Sequence, residues 1–595
     1  MYFDQRLNIR LKSFAHIIVL LLIALPFYGQ QFYLRGEVRD EGGSLLQNVN
    51  IKQQSTGYLF RTGNSGSFGI PSSKGADTLV FTYEGFQKEE IVVKSDKYLT
   101  LYLKHLPSIV SSIKKSKLAS LTKDLSRENQ RKWYSGDETY ASIVENNFVD
   151  AKNYPTTGIA LNIDRASYSN IRRFINLNLA VPPDAVRIEE MLNYFNFGYE
   201  PPNGKSLFKI KTTLTSCPWN KDNQLFFINV FSKKLNLESL PPSNLVFLVD
   251  ISGSMDMPNR LPLLKSAFKM LAMNLREKDT VSIVVYGGAV GVLLFPTPGN
   301  EKEKINKAID EMQPGGSTPG ESGIKLAYMI AKKHFIEKGN NRVILATDGD
   351  FNVGLKTEQE LDELISRHRE SGIYLTCLGV GMGNYKDSKI QTLARKGNGN
   401  FAYVDGYQEA EKIIMKEFTQ TLYTIADDAH LQVTFDPSLV KQYRLIGFDN
   451  KVGALADSTS EIEGGEIGSG QSLTAAFEIE PNFDAGANVF SIKYVEVKLQ
   501  HRLPMEELQQ QLTETFPYNP IPYKEVDPIF RFASSVIMFG SVLKSSSFAK
   551  DIGWGDVLFH ASEAANPTDI NQAQFVELVY KAKEFYTKKK KKNRN

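Results

Sequence analysis

The chain has 595 residues, 42% hydrophobic and 23% charged, which is enough for roughly three to five folded domains. Its formal net charge of +3 gives no sign of a basic patch, so no nucleic-acid partner is expected. Cys217 and Cys377 form no CxxC pair, and the seven histidines contain no HExxH, so neither a disulfide framework nor zinc chemistry is expected.

Taken in chain order, residues 1–30 read as an export signal. Arg6, Arg10 and Lys12 precede the apolar run Ile17 to Phe27, which is shorter than the roughly 20 residues of a membrane span. Phe27 and Tyr28 stand where cleavage favours small residues, which leaves an uncleaved anchor open. No cysteine follows the run, so no lipid anchor is expected. The predicted location is therefore outside the cytoplasm, in the periplasm or on the surface of a Gram-negative-type cell.

Residues 31–104 read as a small all-β domain, with short strand-like runs separated by turn clusters such as DEGGS and SSKGAD. Residues 105–140 form a charged connector, predicted as a linking helix from the spacing of Leu118, Leu121 and Leu125. Residues 141–243 give two helices and then two strands. From 244 to 425 the rhythm changes to strand–helix–strand–helix, with near-continuous apolar strands such as LVFLVD and NRVILATDG. Such strands between amphipathic helices indicate a mostly parallel sheet covered on both faces. Residues 426–502 return to strands, expected to pair with 207–232 across the inserted α/β domain. Residues 503–595 are predicted as a C-terminal helical segment with a basic tail, Lys588 to Lys592. The tail suits the negative end of a helix dipole better than it argues for lipid contact.

Ligands bind outside the carboxyl ends of strands in a sheet of this kind. Three loops arrive there with oxygen donors: DISGS brings Asp250, Ser252 and Ser254, GGSTPG brings Thr318, and ATDGD brings Asp348. Alternate side chains of an extended loop point one way, so the two serines are expected to converge with Asp250, and Gly253 to allow a tight backbone path. Two carboxylates with three neutral hydroxyls suit Mg²⁺, or Mn²⁺ or Ca²⁺, rather than zinc. An ion held by so few charges stays electrophilic and calls for a further anion.

DISGS, Thr318 and Asp348 resemble the metal-ion-dependent adhesion site of von Willebrand factor type A domains. Further stretches, among them EEMLNYFNFGYEPP, CPWN, YRLIGFDN and FRFASSVIMFGSVL, resemble the bacterial YfbK-like group. The segment RGEVRDEGGSLLQNVNI…TLVFTYEGFQ resembles carboxypeptidase regulatory-like domains. The implied fold is multidomain α/β and β: a Rossmann-like type A domain flanked by β-sandwich segments, with an N-terminal β-sandwich and C-terminal helices. The implied function is non-enzymatic, Mg²⁺-dependent binding of a protein that presents Asp or Glu to the metal.

Three positions depart from the family or need a role. Glu321 is an extra acid where a small residue is usual, Gln471 stands where relatives often carry histidine, and Asp350, beside Asp348, reads as a turn residue, with a hydrogen-bond acceptor behind the site as the alternative. An Mg²⁺-dependent phosphotransferase of the haloacid-dehalogenase type is the alternative. It needs an acid two residues after the nucleophilic aspartate, and Ser252 at that position cannot transfer a proton near neutral pH. No Walker-type glycine loop is present either.

Overall fold

The computed structural model describes residues 32–592 apart from 41–42, 64, 84–85, 105–116, 119–137, 139, 141–144, 162–163, 237–239, 288–289, 317–319, 350–364, 367–371, 383–384, 386, 398, 418–419, 421, 449–460, 463, 483–492 and 505. The signal-like start and most of the connector lie outside these residues. Two compact units divide the chain near residue 114.

The first unit is a two-sheet β-sandwich. One sheet has the order β4 (Ser67–Ser72), β1 (Phe32–Asp40), β7 (Tyr98–Leu103). The other runs β3 (Leu59–Arg61), β2 (Asn50–Gln53), β5 (Ala76–Thr82), β6 (Glu89–Lys94). Alternating residues of the strands, Leu34 and Val38, Phe68 and Ile70, Leu79 and Phe81, fill the space between the sheets.

The second unit contains the α/β domain and the scaffold that carries it. Strand β8 (Lys117–Leu118) pairs in parallel with β21 (Glu461–Ile462), so Leu118, expected in a linking helix, lies in a strand instead. The tertiary pairing there overrides the local helical spacing. One scaffold sheet has the order β10 (Thr156–Ala160), β19 (Thr424–Phe435), β24 (Lys493–Arg502), β25 (Gln509–Pro517), with β22 (Gly465–Gly468) also on β19. The other runs β26 (Pro520–Ile521), β11 (Phe208–Ser216), β12 (Gln224–Ser232), β23 (Ser472–Pro481), β20 (Val440–Ile446), β9 (Val149–Asp150).

Strand β12, which precedes the α/β domain, thus pairs antiparallel with β23, which follows it, from Gln224↔Ile479 to Phe231↔Ser472. Strands β19 and β24 belong to the other sheet, so only part of 426–502 pairs with 207–232. The two sheets share one core in which Phe226, Phe435, Phe477 and Tyr494 meet edge to face. Every residue of β12 is buried, because its outer face packs under helices. Leu225 and Phe227 meet α1 (Ala166–Asn176) and α2 (Ile188–Tyr194) together with the C-terminal helices.

The α/β domain has the sheet order β15 (Gly291–Pro298), β14 (Thr280–Tyr286), β13 (Ser243–Asp250), β16 (Asn340–Thr347), β17 (Tyr374–Gly379), β18 (Phe401–Tyr403). All neighbours are parallel except the edge pair β14–β15. Alternation along β13 explains the five-residue apolar run. Phe247 and Val249 face α3 (Leu261–Asn274) and α4 (Lys302–Glu311), while Val246 and Leu248 face α5 (Gly320–Lys333) and α6 (Asp387–Lys396). A short helix, α7 (Tyr407–Glu411), leads back towards the scaffold.

The domain is clamped to its scaffold by buried arginine–carboxylate pairs. Arg172 of α1 bonds Asp405 and Glu409 at 2.6 and 2.7 Å, and Arg187 bonds Asp387 at 2.6 Å. Arg165 bonds Glu417 at 2.7 Å, and Arg342 of β16 bonds Glu466 of β22 at 2.5 Å.

The C-terminal segment holds α8 (Pro528–Lys544), α9 (Trp554–Ala564) and α10 (Ile570–Lys592). It is not wholly helical, since 509–517 forms edge strand β25. QQQLTETFP carries few apolar residues, because much of an edge strand is solvated, and so it lacks the apolar alternation that marks a strand. Helix α10 runs into the lysine tail, where Lys588 lies 3.8 Å from Glu584 one turn back. Both cysteines are free and buried.

Candidate metal centre

Strands β13 and β16 lie side by side at the centre of the sheet, and Asp250 and Asp348 stand at their carboxyl ends. Both are almost fully buried, at 1% and 2% exposure. Asp250 is held from three sides. Oδ1 accepts the amide of Ser252 at 2.8 Å, while Oδ2 accepts the hydroxyls of Tyr286 and Thr347, each at 3.1 Å. Burial first, and then the charge of Asp348, push the Asp250 carboxyl up to about 6. Asp250 in turn helps burial to raise the Tyr286 hydroxyl well above its ordinary range.

Ser252 is extended, but the chain then enters a 3-10 turn, Gly253–Met255, so Ser254 does not continue an extended alternation. The turn nevertheless brings the two hydroxyl oxygens to 3.0 Å from each other. That is close to the edge of an octahedron of oxygens about 2.1 Å from a magnesium ion. Gly253 is not the crowded residue of this loop, since a Cβ there would meet its nearest neighbour, the Gly316 carbonyl, at 3.9 Å. The close approach belongs to Gly287, after β14, where a Cβ would stand 2.6 Å from the Ile251 carbonyl carbon.

The second loop is tied to the first by two backbone bonds. The Gly315 amide donates to Ile251 O at 2.7 Å, and the Gly253 amide donates to Gly316 O at 3.1 Å. Thr318 and Asp350 lie outside the described residues. Glu321 is on the first turn of α5, where its carboxylate bonds Lys325 one turn on at 2.6 Å. Gln471 is remote from this end of the sheet. It is buried in the turn between β22 and β23, where its Oε1 accepts the Gly468 amide.

Arg260 was not legible as a site residue. Its Nη1 donates to Asp348 Oδ2 at 2.6 Å and to Ser254 O at 2.5 Å, and its Nη2 donates to Met382 O at 2.7 Å. Tyr286 and Thr347 were also missed. Their only signal is adjacency to predicted loops at the ends of apolar strands. Among the described residues no group of three or more His, Cys, Asp or Glu side chains converges to hold a metal. The donor set here is therefore mixed, with two carboxylates and paired hydroxyls, which fits a hard divalent ion.

Three family models match the chain in series. One described as von Willebrand factor covers 134–226, the von Willebrand factor type A domain covers 244–416, and the YfbK C-terminal model covers 420–585. Over 468 residues the chain is 34% identical to YfbK of Escherichia coli (strain K12), spanning 75% of this chain and 81% of that protein. The chain belongs to the YfbK family. Its type A domain is the α/β domain that carries Asp250 and Asp348, and the C-terminal family model begins just before β19, where the chain re-enters the scaffold. Inter-alpha-trypsin inhibitor heavy chain H3 of Homo sapiens is 27% identical over 185 residues, which is 29% of this chain and 20% of that one. The solved von Willebrand factor type A structure from Catenulispora acidiphila aligns with 64% of this YfbK-family chain and 91% of its own, at 13% identity and a TM-score of 0.39. Type A domains mediate protein–protein interaction.

Proposed function

We propose that this protein is an exported, non-enzymatic binding module whose type A domain takes a partner's Asp or Glu through a divalent metal, Mg²⁺ or else Mn²⁺ or Ca²⁺. Asp250, Ser252, Ser254, Thr318 and Asp348 would hold the ion. When bound, the ion supplies a Lewis-acidic position for an outside carboxylate. The observation that carries the reading is the convergence of two buried aspartates and a pair of hydroxyls 3.0 Å apart at the carboxyl ends of the central strands. Tyr286 and Thr347 keep Asp250 oriented, and the two backbone bonds from Gly315 and Gly253 keep the second loop against the first. Ser252, two residues after Asp250, argues against phosphoryl transfer, because it offers no general acid.

Export is supported by the basic and apolar start, Arg6 to Phe27. Among the described residues no helix is long and apolar enough to cross a membrane. The seven-stranded first unit supports the carboxypeptidase regulatory-like reading of 31–104.

The decisive test is thermal unfolding of the parent and Asp250→Asn, each with Mg²⁺ and with chelator. The parent is expected to gain stability with Mg²⁺ as a bound ligand requires, and Asp250→Asn to lose that gain. The amide oxygen still accepts from Tyr286 and Thr347, but its NH2 then faces the Ser252 amide, so the variant's melting with chelator should show a loss of about 1–3 kcal/mol that Mg²⁺ does not change. An equal response to Mg²⁺ in both proteins would refute the metal reading.

A further inference from the structure

The outer face of the first unit's β4–β1–β7 sheet carries aromatic rings that the sandwich core does not use. Alternation turns Leu34 and Val38 of β1, and Leu101 and Leu103 of β7, into the core. The opposite side of the same strands presents Tyr33, Tyr98 and Tyr102, which are 49%, 60% and 53% exposed. Register fixes their spacing. Tyr98 lies beside Arg35 and Tyr102 beside Arg39, while Tyr33 stands two residues before Arg35. The three rings therefore follow one line about 20 Å long, with about 13 Å between Tyr98 and Tyr102. Exposed Thr100 and half-buried Glu37 separate that pair. Across β1, Gly69 of β4 faces Arg35, and a Cβ there would meet nothing within 4 Å, so that flank is open. Charge follows the rings. Arg35, Arg39 and, just past β7, Lys104 lie along the line, against one acid, Glu37, which Arg39 bonds at 2.8 Å.

We propose that this face is a docking surface for an anionic polysaccharide, a chain of sugars that bears carboxylates at intervals. The rings stand too far apart to form the clustered, desolvated centre on which a protein interface depends. Rings separated by hydrogen-bonding groups suit a row of sugars instead. The C–H faces of the sugars stack on Tyr33, Tyr98 and Tyr102, while hydroxyls and carboxylates meet Arg35, Thr100 and Arg39 between them. A single nucleic-acid strand carries a phosphate about every 3.4 Å, so the same length would bring about six charges to three cations. A glycan with spaced carboxylates matches them better. The surface lies in the first unit and uses no metal, so it is independent of the centre at Asp250.

Biolayer interferometry of the full chain tests this on immobilised polygalacturonate, alginate and hyaluronate, with chelator present throughout. The chelator keeps a metal centre from taking the carboxylates, so failure here leaves that reading untouched. The parent is expected to bind at least one of the three glycans and to bind polyglutamate and oligo(dT) much more weakly. Tyr98→Ala and Tyr102→Ala should each weaken glycan binding about two- to tenfold, whereas Tyr98→Phe, which keeps the ring, should stay within about twofold of the parent. Arg35→Gln should weaken binding and make it less sensitive to salt. These side chains are exposed, so each variant should melt with the parent. A variant that melts early is replaced by Tyr33→Ala on the neighbouring strand. No binding to any of the three glycans, equal binding to polyglutamate or oligo(dT), or unchanged glycan binding by the folded tyrosine-to-alanine variants overturns the proposal.

Discussion

Asp427 of β19 shows how one buried carboxyl makes the whole chain sensitive to pH. It is 8% exposed, its Oδ2 accepts the hydroxyl of Tyr374 at 2.8 Å, and its Oδ1 has no hydrogen-bond partner among the described residues. Burial, followed by the charge of Glu466, pushes this carboxyl up to about 6. The folded value lies above the ordinary one near 3.9, so the folded state binds more protons between the two. Its stabilising contribution is full below about pH 4 and is lost as pH rises through 6. Asp427→Asn removes the charge and keeps an acceptor for Tyr374. It should flatten the fall in stability between pH 5 and pH 7, raising stability at pH 7 by about 1–3 kcal/mol. Urea unfolding of parent and variant at the two pH values checks this, and parallel slopes would count against it.

At the scale of elements, the Arg342–Glu466 pair is the clearest joint between domain and scaffold. Arg342 is fully buried on β16 and donates to Thr376 at 2.8 Å, Thr424 at 3.0 Å and Glu466 at 2.5 Å. Removing one partner leaves a buried charge unpaired, so Arg342→Met should cost about 3–5 kcal/mol. Arg342→Met with Glu466→Gln should cost clearly less than the two single changes added together. Denaturant unfolding of the four proteins measures the coupling, and additive losses would show that the pair is not a unit. None of this was legible in the sequence, because Arg342 sits inside an apolar strand and its partner is 124 residues away. Legibility followed periodicity. The strands of the α/β domain read clearly because both faces are buried, as along β13. Edge strand β25 did not, since its faces are largely solvated. The same holds within the site. Asp250 and Asp348 were marked by ending apolar runs, whereas Arg260 lies in a loop before α3 and acquires its contacts only when β13, β16 and β17 are brought together.

For the whole molecule, the question is whether the type A domain and its scaffold are one folding unit or two joined by charge. Their apolar cores are largely distinct. The two faces of the domain's sheet form their own clusters, while the scaffold has one cluster inside the sandwich and another under the helices. The chain leaves and re-enters the scaffold at one turn. Gly470 donates its amide to Lys233 O at 3.1 Å, and the neighbouring Ser469 donates to Tyr423 O at 2.8 Å. The two ends of the insertion are therefore close enough to be joined by a few residues, as in many inserted domains. Replacing residues 235–422 by a short Gly/Ser linker should leave a soluble, cooperatively melting scaffold. Arg172, Arg187 and Glu466 would then face water, where a lone charge costs little, so their lost partners need not unfold it. The excised domain, residues 234–423, should fold separately and keep the whole Mg²⁺ response, while the scaffold shows none. Circular dichroism melts of both pieces with Mg²⁺ and with chelator give the answer. A scaffold that aggregates would mean that the ionic clamp, and not the sandwich core, holds β12 against β23.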